Sequence, residues 1–402
     1  MNAIGIVAEY NPFHTGHGYQ IAQSRAQLGC DRPVVAVMSG SWVQQADCAV
    51  ADKWTRARLA LMGGCDLVLE LPGVFSTASA EKFAQGAVEI LHASGVVEAI
   101  SFGSECGDAD KLSQLAAGLD SPDYLTALRE LTDSGLPFAV CRQKAAESVL
   151  GEELGGLLGN PNNNLGVEYI RALNALNSPI RPTTVQRKGA AHNSISTEKP
   201  PFVSATQIRA ELRAGQGEQA APWLLPGALP LLEDLPDLSR VERAILMKVR
   251  TMTAEDWGKL PDSGASEGLP QRLEKAGRQC ADMNEFFELT KTKRFTHARL
   301  RRLVLWAYLG MTAADRPDHP LYIRVLGFNE RGQELLKQMK QSASLPVITK
   351  PAHARKLPEA ARRLFELECR FTDLYDLCLK QIPAPGREWT TDAVRVGGGE
   401  HG

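Results

Sequence analysis

The sequence predicts an α/β fold, with a Rossmann-like parallel sheet in the N-terminal half and a mainly α-helical C-terminal half. Three observations support this prediction. Short apolar runs alternate with helical patterns through the first 100 residues, polar motifs follow the first of these runs, and residues 241–381 carry mostly helical patterns. Continuous apolar strands separated by helices indicate a parallel sheet covered on both faces. Ligands bind such sheets at the carboxyl ends of the strands.

The predicted elements follow one another regularly. The first strands cover residues 4–8, 33–38, 66–71 and 97–102. The helices after the first three strands cover residues 18–28, 52–62 and 80–93. Residues 108–176 carry helical patterns, a further strand is predicted at 182–187, and another helix begins near Ser204. In the C-terminal half a strand is predicted at 322–325.

The chain divides into two predicted domains and a tail. With 402 residues it is long enough for two cores. We expect a catalytic domain at 1–220, a mostly helical domain at 221–385 and a disordered tail at 386–402, whose end is rich in glycine. Residues 222–238 are rich in Pro and Leu, which indicates a connector between the domains.

The composition excludes several classes of protein. A formal net charge of -2, with 23% charged residues, excludes a polybasic protein that holds nucleic acid by bulk charge, although a local basic face remains compatible. The 8 cysteines form no CxxC pair and show no zinc-site spacing, which favours a reducing compartment. Because the sequence shows neither a signal-peptide pattern nor an apolar run of about 20 residues, we expect a cytoplasmic protein without a membrane segment. Nothing in the sequence indicates an obligate protein partner.

The strongest motif is His14-Thr15-Gly16-His17, placed between the first strand and its helix. A helix N-terminus offers unpaired amides and a partial positive charge, which suit a phosphate. Two histidines three positions apart can face that site and offset the charge that builds during attack on a phosphorus atom. Gly16 is expected to leave room for a purine against the backbone. The alternative is that both histidines only cap or pack the helix start.

A second motif, Ser204, Thr206 and Arg209, begins a later helix. Ser204 suits the N-cap, and Arg209 lies one turn beyond on the same side as Thr206. Together they are expected to hold the outer phosphates of a triphosphate, with Arg209 as a guanidinium clamp. Taken alone, this pattern indicates only a capped helix.

Together these motifs resemble the HxGH nucleotidyltransferase superfamily and, more narrowly, the bacterial tRNA(Met) cytidine acetate ligase family. The resemblance covers nearly the whole chain except the glycine-rich end. It is carried by GIVAEYNPFHTGH at 5–17, MSG at 38–40, DLVLELP at 66–72, FGSE at 102–105, PNNNLG at 161–166, RKGA at 187–190, KRFTHARL at 293–300 and RVLGF at 324–328.

The resemblance implies a nucleotidyltransferase fold for the N-terminal domain and a two-step reaction. Acetate attacks the α-phosphate of ATP, and the N4 amine of the wobble cytidine of elongator tRNA(Met) then takes the acetyl group. His14, His17, Ser204, Thr206 and Arg209 are the implied catalytic residues. The implied ATP contacts are Val7, Ala8, Glu9, Tyr10, Asn11, Pro12, Phe13, His14, Thr15, Gly16, His17, Gly18, Tyr19, Gln20, Gly103, Asn162 or Asn163, and Arg187. Mg²⁺ is expected with ATP because it offsets the triphosphate charge.

One segment departs from the family pattern. The family usually shows Gln-Arg-Gly-Glu-Pro-Ala after the second strand, whereas residues 44–49 here are Gln-Gln-Ala-Asp-Cys-Ala. The arginine is replaced by Gln45, and we expect Lys53, Arg56 or Arg58 to supply its charge. The difference concerns pyrophosphate or tRNA contacts rather than the fold.

A basic stretch suggests where RNA binds. Residues 291–302 contain no acid, and their cations are Lys291, Lys293, Arg294, Arg299, Arg301 and Arg302. Such a face would neutralise phosphates in a salt-sensitive way, although a solvated helix with its leucines facing the core explains the pattern equally well. Lys188 and His192 are further candidates for acceptor contacts.

Three other questions stay open at the level of sequence. Glu70 fits either an active-site carboxylate or a buried turn anchor. A nucleotidyltransferase that makes a nucleotide cofactor from a small phosphate ester would share both motifs, although such chains are usually much shorter. An RNA-binding relative that has lost activity would also share them, with Gln45 as its mark.

Overall fold

The computed structural model describes residues 2–132, 136–187 and 202–397. Their strands are β1 Ala3–Ala8, β2 Val34–Ser39, β3 Trp42–Val43, β4 Asp47–Cys48, β5 Leu67–Leu71, β6 Val97–Ser104, β7 Arg181–Gln186, β8 Ile323–Phe328, β9 Val347–Ile348 and β10 Val394–Arg395. The predicted strands 4–8, 33–38, 66–71, 97–102, 182–187 and 322–325 are therefore confirmed within one to three residues at each end.

The helices of the N-terminal half follow the predicted order. They are α1 Thr15–Leu28, α2 Lys53–Met62, α3 Gly73–Ser76, α4 Ala80–Ser94, α5 Ala109–Leu119, α6 Pro122–Thr132, α7 Phe138–Leu150, α8 Glu152–Gly155, α9 Pro161–Ala175, α10 Ala205–Arg213 and α11 Gly217–Ala220. The C-terminal helices are α12 Glu242–Thr251, α13 Ala254–Gly258, α14 Leu269–Gly277, α15 Met283–Thr290, α16 His297–Leu309, α17 Glu330–Ser342, α18 Glu359–Asp376 and α19 Arg387–Thr390. Short 3₁₀ helices lie at Gly156–Gly159, Ala221–Trp223, Leu229–Leu232, Leu238–Val241, Ala265–Glu267, Ala313–Asp315 and Pro351–Lys356.

The main sheet has the strand order β10-β8-β5-β2-β1-β6-β7, and β9 pairs with β8. Strands β5, β2, β1, β6 and β7 run parallel, with Ile4 opposite Val34 and Ala8 opposite Met38 in the β1–β2 pair. The predicted α/β fold with a parallel sheet is confirmed. Because β1 is central and its neighbours run parallel to it, the loops after β1, β2 and β6 meet at one edge of the sheet.

Strand β8 joins this same sheet, antiparallel to β5, although it lies in the C-terminal half. Alternate residues of β2 enter two hydrophobic clusters, one on each face of the sheet: Val35 and Val37 belong to the first, and Ala36 and Met38 to the second. The first cluster continues into the C-terminal helices, where it includes Trp306 of α16 and Tyr375 of α18. The division at residue 220 stays a prediction.

The predicted disordered tail at 386–402 is wrong for residues 386–397. They form α19 and β10, which pairs with β8, and the side chain of Glu388 is buried. These residues are ordered because Glu388 meets buried cations and Arg387 pairs with Asp52 and Asp376, 2.8 and 3.0 Å away. Residues 398–402 lie outside the described part of the chain.

A buried ionic network links the two halves. Lys53 of α2 donates to Glu70 Oε1 at 2.6 Å and also pairs with Glu388, and all three side chains are at most 3% exposed. Arg324 of β8 lies 3.6 Å from Glu388. Burial by itself lowers the pKa of Lys53, but the carboxylates of Glu388 and Glu70 outweigh it and raise the pKa above its usual value. Glu70 is thus a buried anchor and not an exposed carboxylate.

No helix in the described ranges has both the length and the apolar character needed to cross a bilayer.

Candidate active site

Partly exposed residues follow the central strand at its carboxyl end, where sheets of this kind bind ligands, and this region is the candidate cleft. Although β1 lies between β2 and β6, its last residues, Val7 and Ala8, are partly exposed, as is Glu9 beyond them. Tyr10 and Phe13 are buried beneath the loop that follows. Tyr10 has a φ of 43°, a left-handed backbone conformation that is costly for a residue with a side chain, so the surrounding packing must hold this loop in shape.

His14 and His17 form a reciprocal cap at the start of α1. Nδ1 of His14 accepts from the main-chain N–H of Gly16 at 3.0 Å, and Nδ1 of His17 accepts from the main-chain N–H of His14 at 3.2 Å. The two ring centroids are 3.9 Å apart. With both Nδ1 atoms accepting, a neutral imidazole carries its proton on Nε2. Each ring therefore offers an Nε2–H donor.

Both imidazoles are held in the neutral form. Burial, reinforced by the positive charges of Arg187 and Arg209, lowers the pKa of His14 to about 4. Burial also lowers the pKa of His17 well below its usual value, with smaller contributions from His14 and Arg187. The two Nε2–H donors lie near two guanidinium groups, which favour an anionic phosphate. As neutral groups, the imidazoles need no carboxylate partner that a phosphate would have to displace.

The sequence predicts that Gly16 leaves room for a purine, but the structure gives a different reason for glycine at this position. A Cβ atom at this position would lie 2.8 Å from Cε1 of His14, so the histidine ring itself occupies the space. Gly18 differs from it, because a Cβ there would meet no atom within 4 Å. The requirement for glycine at position 16 therefore comes from the capping geometry of His14.

Helix α10 brings the second motif to this loop. Ser204 caps the helix by accepting from the N–H of Gln207 at 3.2 Å. Arg209 donates from Nη1 to the main-chain oxygen of Asn11 at 2.7 Å and from Nη2 to Oγ1 of Thr206 at 3.2 Å. Ser204 and Thr206 are exposed. The two motifs thus converge, with Arg209 as the direct link.

Arg56 holds the loops at this edge together. Its fully buried guanidinium donates to the main-chain oxygens of Glu9, Ser39, Gly40 and Ala51. The carboxamide of Asn11 accepts from the main-chain N–H of Val50 at 2.7 Å. The sequence suggested Arg56 only as a spare positive charge. Its role here depends on carbonyl groups from three loops, which local sequence does not reveal.

The other predicted nucleotide contacts lie around the end of β6. The main-chain N–H of Arg187 donates to the oxygen of Ser104, and the Arg187 side chain passes over Gly103, where a Cβ would come within 3.3 Å of it. Gln20 of α1 donates to the main-chain oxygen of Ser101 at 3.2 Å. These contacts place Gly103, Arg187 and α1 side by side.

The two candidate asparagines differ in their surroundings. Asn163 is fully buried; its Oδ1 accepts from the main-chain N–H groups of Glu105 and Cys106, and its Nδ2 donates to the oxygen of Leu157. Asn162 is partly exposed and donates to Oε1 of Glu105 at 2.6 Å. Asn162 is therefore the asparagine whose carboxamide can reach a ligand.

Glu105 is a residue that the motif analysis did not single out. Its two carboxylate oxygens accept from the first main-chain N–H groups of α9, those of Asn162 and Asn163. A carboxylate at a helix N-terminus is favourable. The contact spans 57 positions or more, so it has no local sequence signal.

The loop between β3 and β4 contains the departure from the family pattern. Gln45 is exposed at its tip, and Ala46, where the family usually has glycine, adopts a φ of 56°. The expectation that Lys53 or Arg56 replaces the missing arginine is wrong, since both are buried and engaged elsewhere. Arg58 is exposed on α2.

A different cation does approach this hairpin. Arg213 of α10 lies 3.5 Å from Oδ2 of Asp47, the first residue of β4. Arg213 belongs to none of the motifs that the sequence shows.

The basic stretch at 291–302 is only partly free. Arg294 and Arg299 both pair with Glu267, and Arg302 is partly buried. Lys291 and Lys293 are exposed, and Arg301 is partly exposed. The sequence could not show this division, because Glu267 lies 27 positions or more away. Lys188 and His192 lie outside the described residues.

The described ranges contain no group of three or more His, Cys, Asp or Glu residues that could hold a metal ion.

The whole chain matches known proteins. Residues 1–388 match the family described as HIGH Nucleotidyl Transferase. The chain is 39% identical over 398 residues to the tRNA(Met) cytidine acetate ligase of Caldanaerobacter subterraneus subsp. tengcongensis, covering 95% of this chain and 96% of that protein. It is 36% identical to the protein of the same name from Clostridium kluyveri, with 95% and 96% coverage.

Solved structures agree with this match. The crystal structure of Thermotoga maritima TmcAL bound with alpha-thio ATP superposes with a TM-score of 0.90 at 32% identity, over 99% of this chain and 100% of that one. The apo form of the same protein gives a TM-score of 0.91 at 33% identity, with the same coverage.

Proposed function

This chain belongs to the tRNA(Met) cytidine acetate ligase family of HIGH nucleotidyl transferases, and from that premise we propose that it acetylates the wobble cytidine of elongator tRNA(Met) at N4, using acetate and ATP. In the first step an acetate oxygen attacks the α-phosphorus of ATP, and pyrophosphate leaves with the electron pair of the broken P–O bond. In the second step the N4 amine attacks the acetyl carbon, and AMP leaves.

The observation that carries this proposal is the convergence of two neutral imidazoles with two guanidinium groups. His14 and His17 each present an Nε2–H, and Arg187 and Arg209 are close enough to depress the pKa of His14. Such donors stabilise the negative charge that builds on the phosphoryl oxygens during attack. Because acetate is itself the nucleophile, the protein needs only to position the reactants and offset charge.

The resemblance assigns ATP to the residues around this cleft, and the local geometry is compatible with it. The segment from Val7 to Gln20 supplies the loop and the N-terminus of α1, and Gly103, Asn162 and Arg187 lie at the end of β6. We assign the family's asparagine contact to Asn162 because the carboxamide of Asn163 is fully engaged. Magnesium would arrive as the complex with ATP, held by the phosphate oxygens.

For tRNA we propose the face formed by Lys291, Lys293 and Arg301, which are exposed or partly exposed and are not paired with Glu267. Arg294, Arg299 and Arg302 would contribute to the positive field around them. Their contacts with phosphates would be salt-sensitive and would carry little sequence information.

The test is to incubate the purified protein with elongator tRNA(Met), ATP, magnesium and radiolabelled acetate, and then analyse the nucleosides by mass spectrometry. We expect label in N4-acetylcytidine only when ATP is present. Transfer of a nucleotide onto a small phosphate ester instead would support the cofactor-synthesising alternative. Retention of tRNA without ATP consumption would support the inactive relative.

A further inference from the structure

Glu9 lies at the mouth of the cleft, directly after the central strand and five positions before His14. Its main-chain oxygen accepts from Nη1 of Arg56 at 2.6 Å, and its side-chain Oε1 accepts from the main-chain N–H of Gln44 at 2.7 Å. The residue is partly exposed. One contact thus fixes the backbone of Glu9 and one fixes its carboxylate at this end of the strand.

Glu9 has no ion-pair partner within hydrogen-bond distance among the described residues, and its Oε2 has no hydrogen-bond partner there. The nearby guanidinium groups are used elsewhere: Arg56 by main-chain oxygens, and Arg209 by Asn11 and Thr206. Burial raises the pKa of Glu9. The hydrogen bond from Gln44 and the charges of Arg209 and Arg56 lower it by less, so the pKa stays above its usual value. The carboxylate is therefore a stronger base than a solvated glutamate.

The other basic groups of this cleft are engaged. Nδ1 of each histidine in the HxGH motif accepts a main-chain N–H. Both oxygens of Glu105 accept from the start of α9. Asp47 faces the guanidinium of Arg213. Oε2 of Glu9 is the carboxylate oxygen of this set that can still accept a proton from a substrate.

We propose that Glu9 is the general base of the acyl-transfer step, an inference that rests on the proposed function. The exocyclic amine of a cytosine is a weak nucleophile, because its lone pair is delocalised into the ring. As the N–C bond to the acetyl carbon forms and the bond from that carbon to the AMP oxygen breaks, AMP takes the electron pair and the amine proton passes to Glu9 Oε2. Acetate activation involves no such proton, since the attacking group is already a carboxylate.

The two steps therefore respond differently to the loss of this base. Glu9→Gln keeps an oxygen that can accept from Gln44 but cannot take up the proton. We expect single-turnover transfer to tRNA to fall about a hundredfold or more, while acetate-dependent ATP–pyrophosphate exchange, measured at saturating ATP so that a change in ATP binding does not count, falls far less. Glu153→Gln, which neutralises a glutamate on the exposed surface, is the matched control and should leave both rates near those of the wild type.

Two results would overturn the proposal: an equal loss in both steps, which would make Glu9 a positioning residue, or unimpaired transfer. If Glu9→Gln does not fold, Glu9→Asp retains a carboxylate that is shorter by one methylene. Reduced transfer with intact exchange then supports the base, and equal losses contradict it. A wild-type protein that performs neither reaction would instead refute the proposed function.

Discussion

Arg209 donates a hydrogen bond to the main-chain oxygen of Asn11, 2.7 Å away, although the two residues are 198 positions apart. This contact fixes helix α10 against the loop that leads into α1, whose start carries both imidazoles. The capped helix and the histidine pair, neither of which indicates a site by itself, thus form one cluster of hydrogen-bond donors. Five measurable consequences of the structure follow from contacts of this kind.

His17→Ala should lower acetate-dependent ATP–pyrophosphate exchange about a hundredfold, because it removes one preorganised donor to the transition state. His353→Ala, a surface change at the 3₁₀ helix Pro351–Lys356, is the control and should leave exchange unchanged. Circular dichroism should report an unaltered fold for both. Normal exchange by a folded His17→Ala protein would contradict the assigned role.

Asn162→Ala and Asn163→Ala should affect different properties, the first the binding of ATP and the second the stability of the fold. Asn162 is partly exposed, so its loss should raise the KM for ATP about tenfold, the effect of one lost hydrogen bond to a charged group, with little change in stability. Asn163→Ala leaves buried main-chain groups without partners and should cost about 2–3 kcal/mol in the free energy of unfolding. Denaturant unfolding and ATP titration separate the two, and a reversal of these effects would reassign the ligand contact.

The contribution of His14 to the stability of the protein should fall as the pH drops from about 6.5 towards 4. The pKa of His14 is lowered to about 4 in the folded state, from 6.5 when unperturbed. Between these values the unfolded state binds more protons, so each such histidine lowers the free energy of unfolding by at most about 1.4 kcal/mol per pH unit.

Urea unfolding of the wild type and of His14→Gln across this range measures that contribution. The variant should show the shallower dependence on pH, whereas the surface change His353→Gln should keep the wild-type slope. Equal slopes for His14→Gln and the wild type would show that His14 is not held neutral.

Ala46→Gly should be better tolerated than Ala49→Gly. Both alanines are buried, so each substitution removes a methyl group worth about 0.8 kcal/mol. Only Ala46 adopts a left-handed φ, of 56°, which costs a residue with a Cβ about 1–2 kcal/mol. The two variants should therefore differ by about that amount in thermal or urea unfolding. If they were equally stable, the backbone of the hairpin would not be strained.

Lys53→Met should lower the free energy of unfolding by about 3–5 kcal/mol, because it leaves buried carboxylates without their cation. The control is Lys111→Met, which removes an ion pair of similar length, to Glu153, from the exposed surface. That change should be without measurable effect on urea unfolding. Similar losses in the two variants would mean that the buried network contributes no more to stability than an ion pair on the surface.

Much of the site could be predicted from short segments. The apolar runs of β1, β2, β5 and β6 and the helices after them follow from local periodicity, because side-chain burial repeats along the element itself. The position of His14 and His17 at a helix start follows from the same pattern. For this reason the predicted alternation of strands and helices is confirmed.

Other features depend on residues far apart in sequence. Strand β8 was expected within a helical domain, but it pairs with β5, and residues 386–397 are ordered by contacts to Asp52 and to buried cations. Lys53 and Arg56 were assigned as spare charges, whereas carboxylates and carbonyl oxygens from other segments engage them. The partners of a charge are set by the folded chain, which local composition does not encode.

The sequence by itself determined the type of chemistry: two imidazoles at a helix start and a capped helix with an arginine at its second turn. Tertiary structure alone decided which polar groups remain available for it, leaving Asn162 partly exposed and Oε2 of Glu9 without a partner among the described residues, while burying and engaging Asn163 and Arg56. The physical reason is that a polar group can make only a few hydrogen bonds. Whether those hydrogen bonds are made within the folded chain depends on atoms that are brought together only by the tertiary structure.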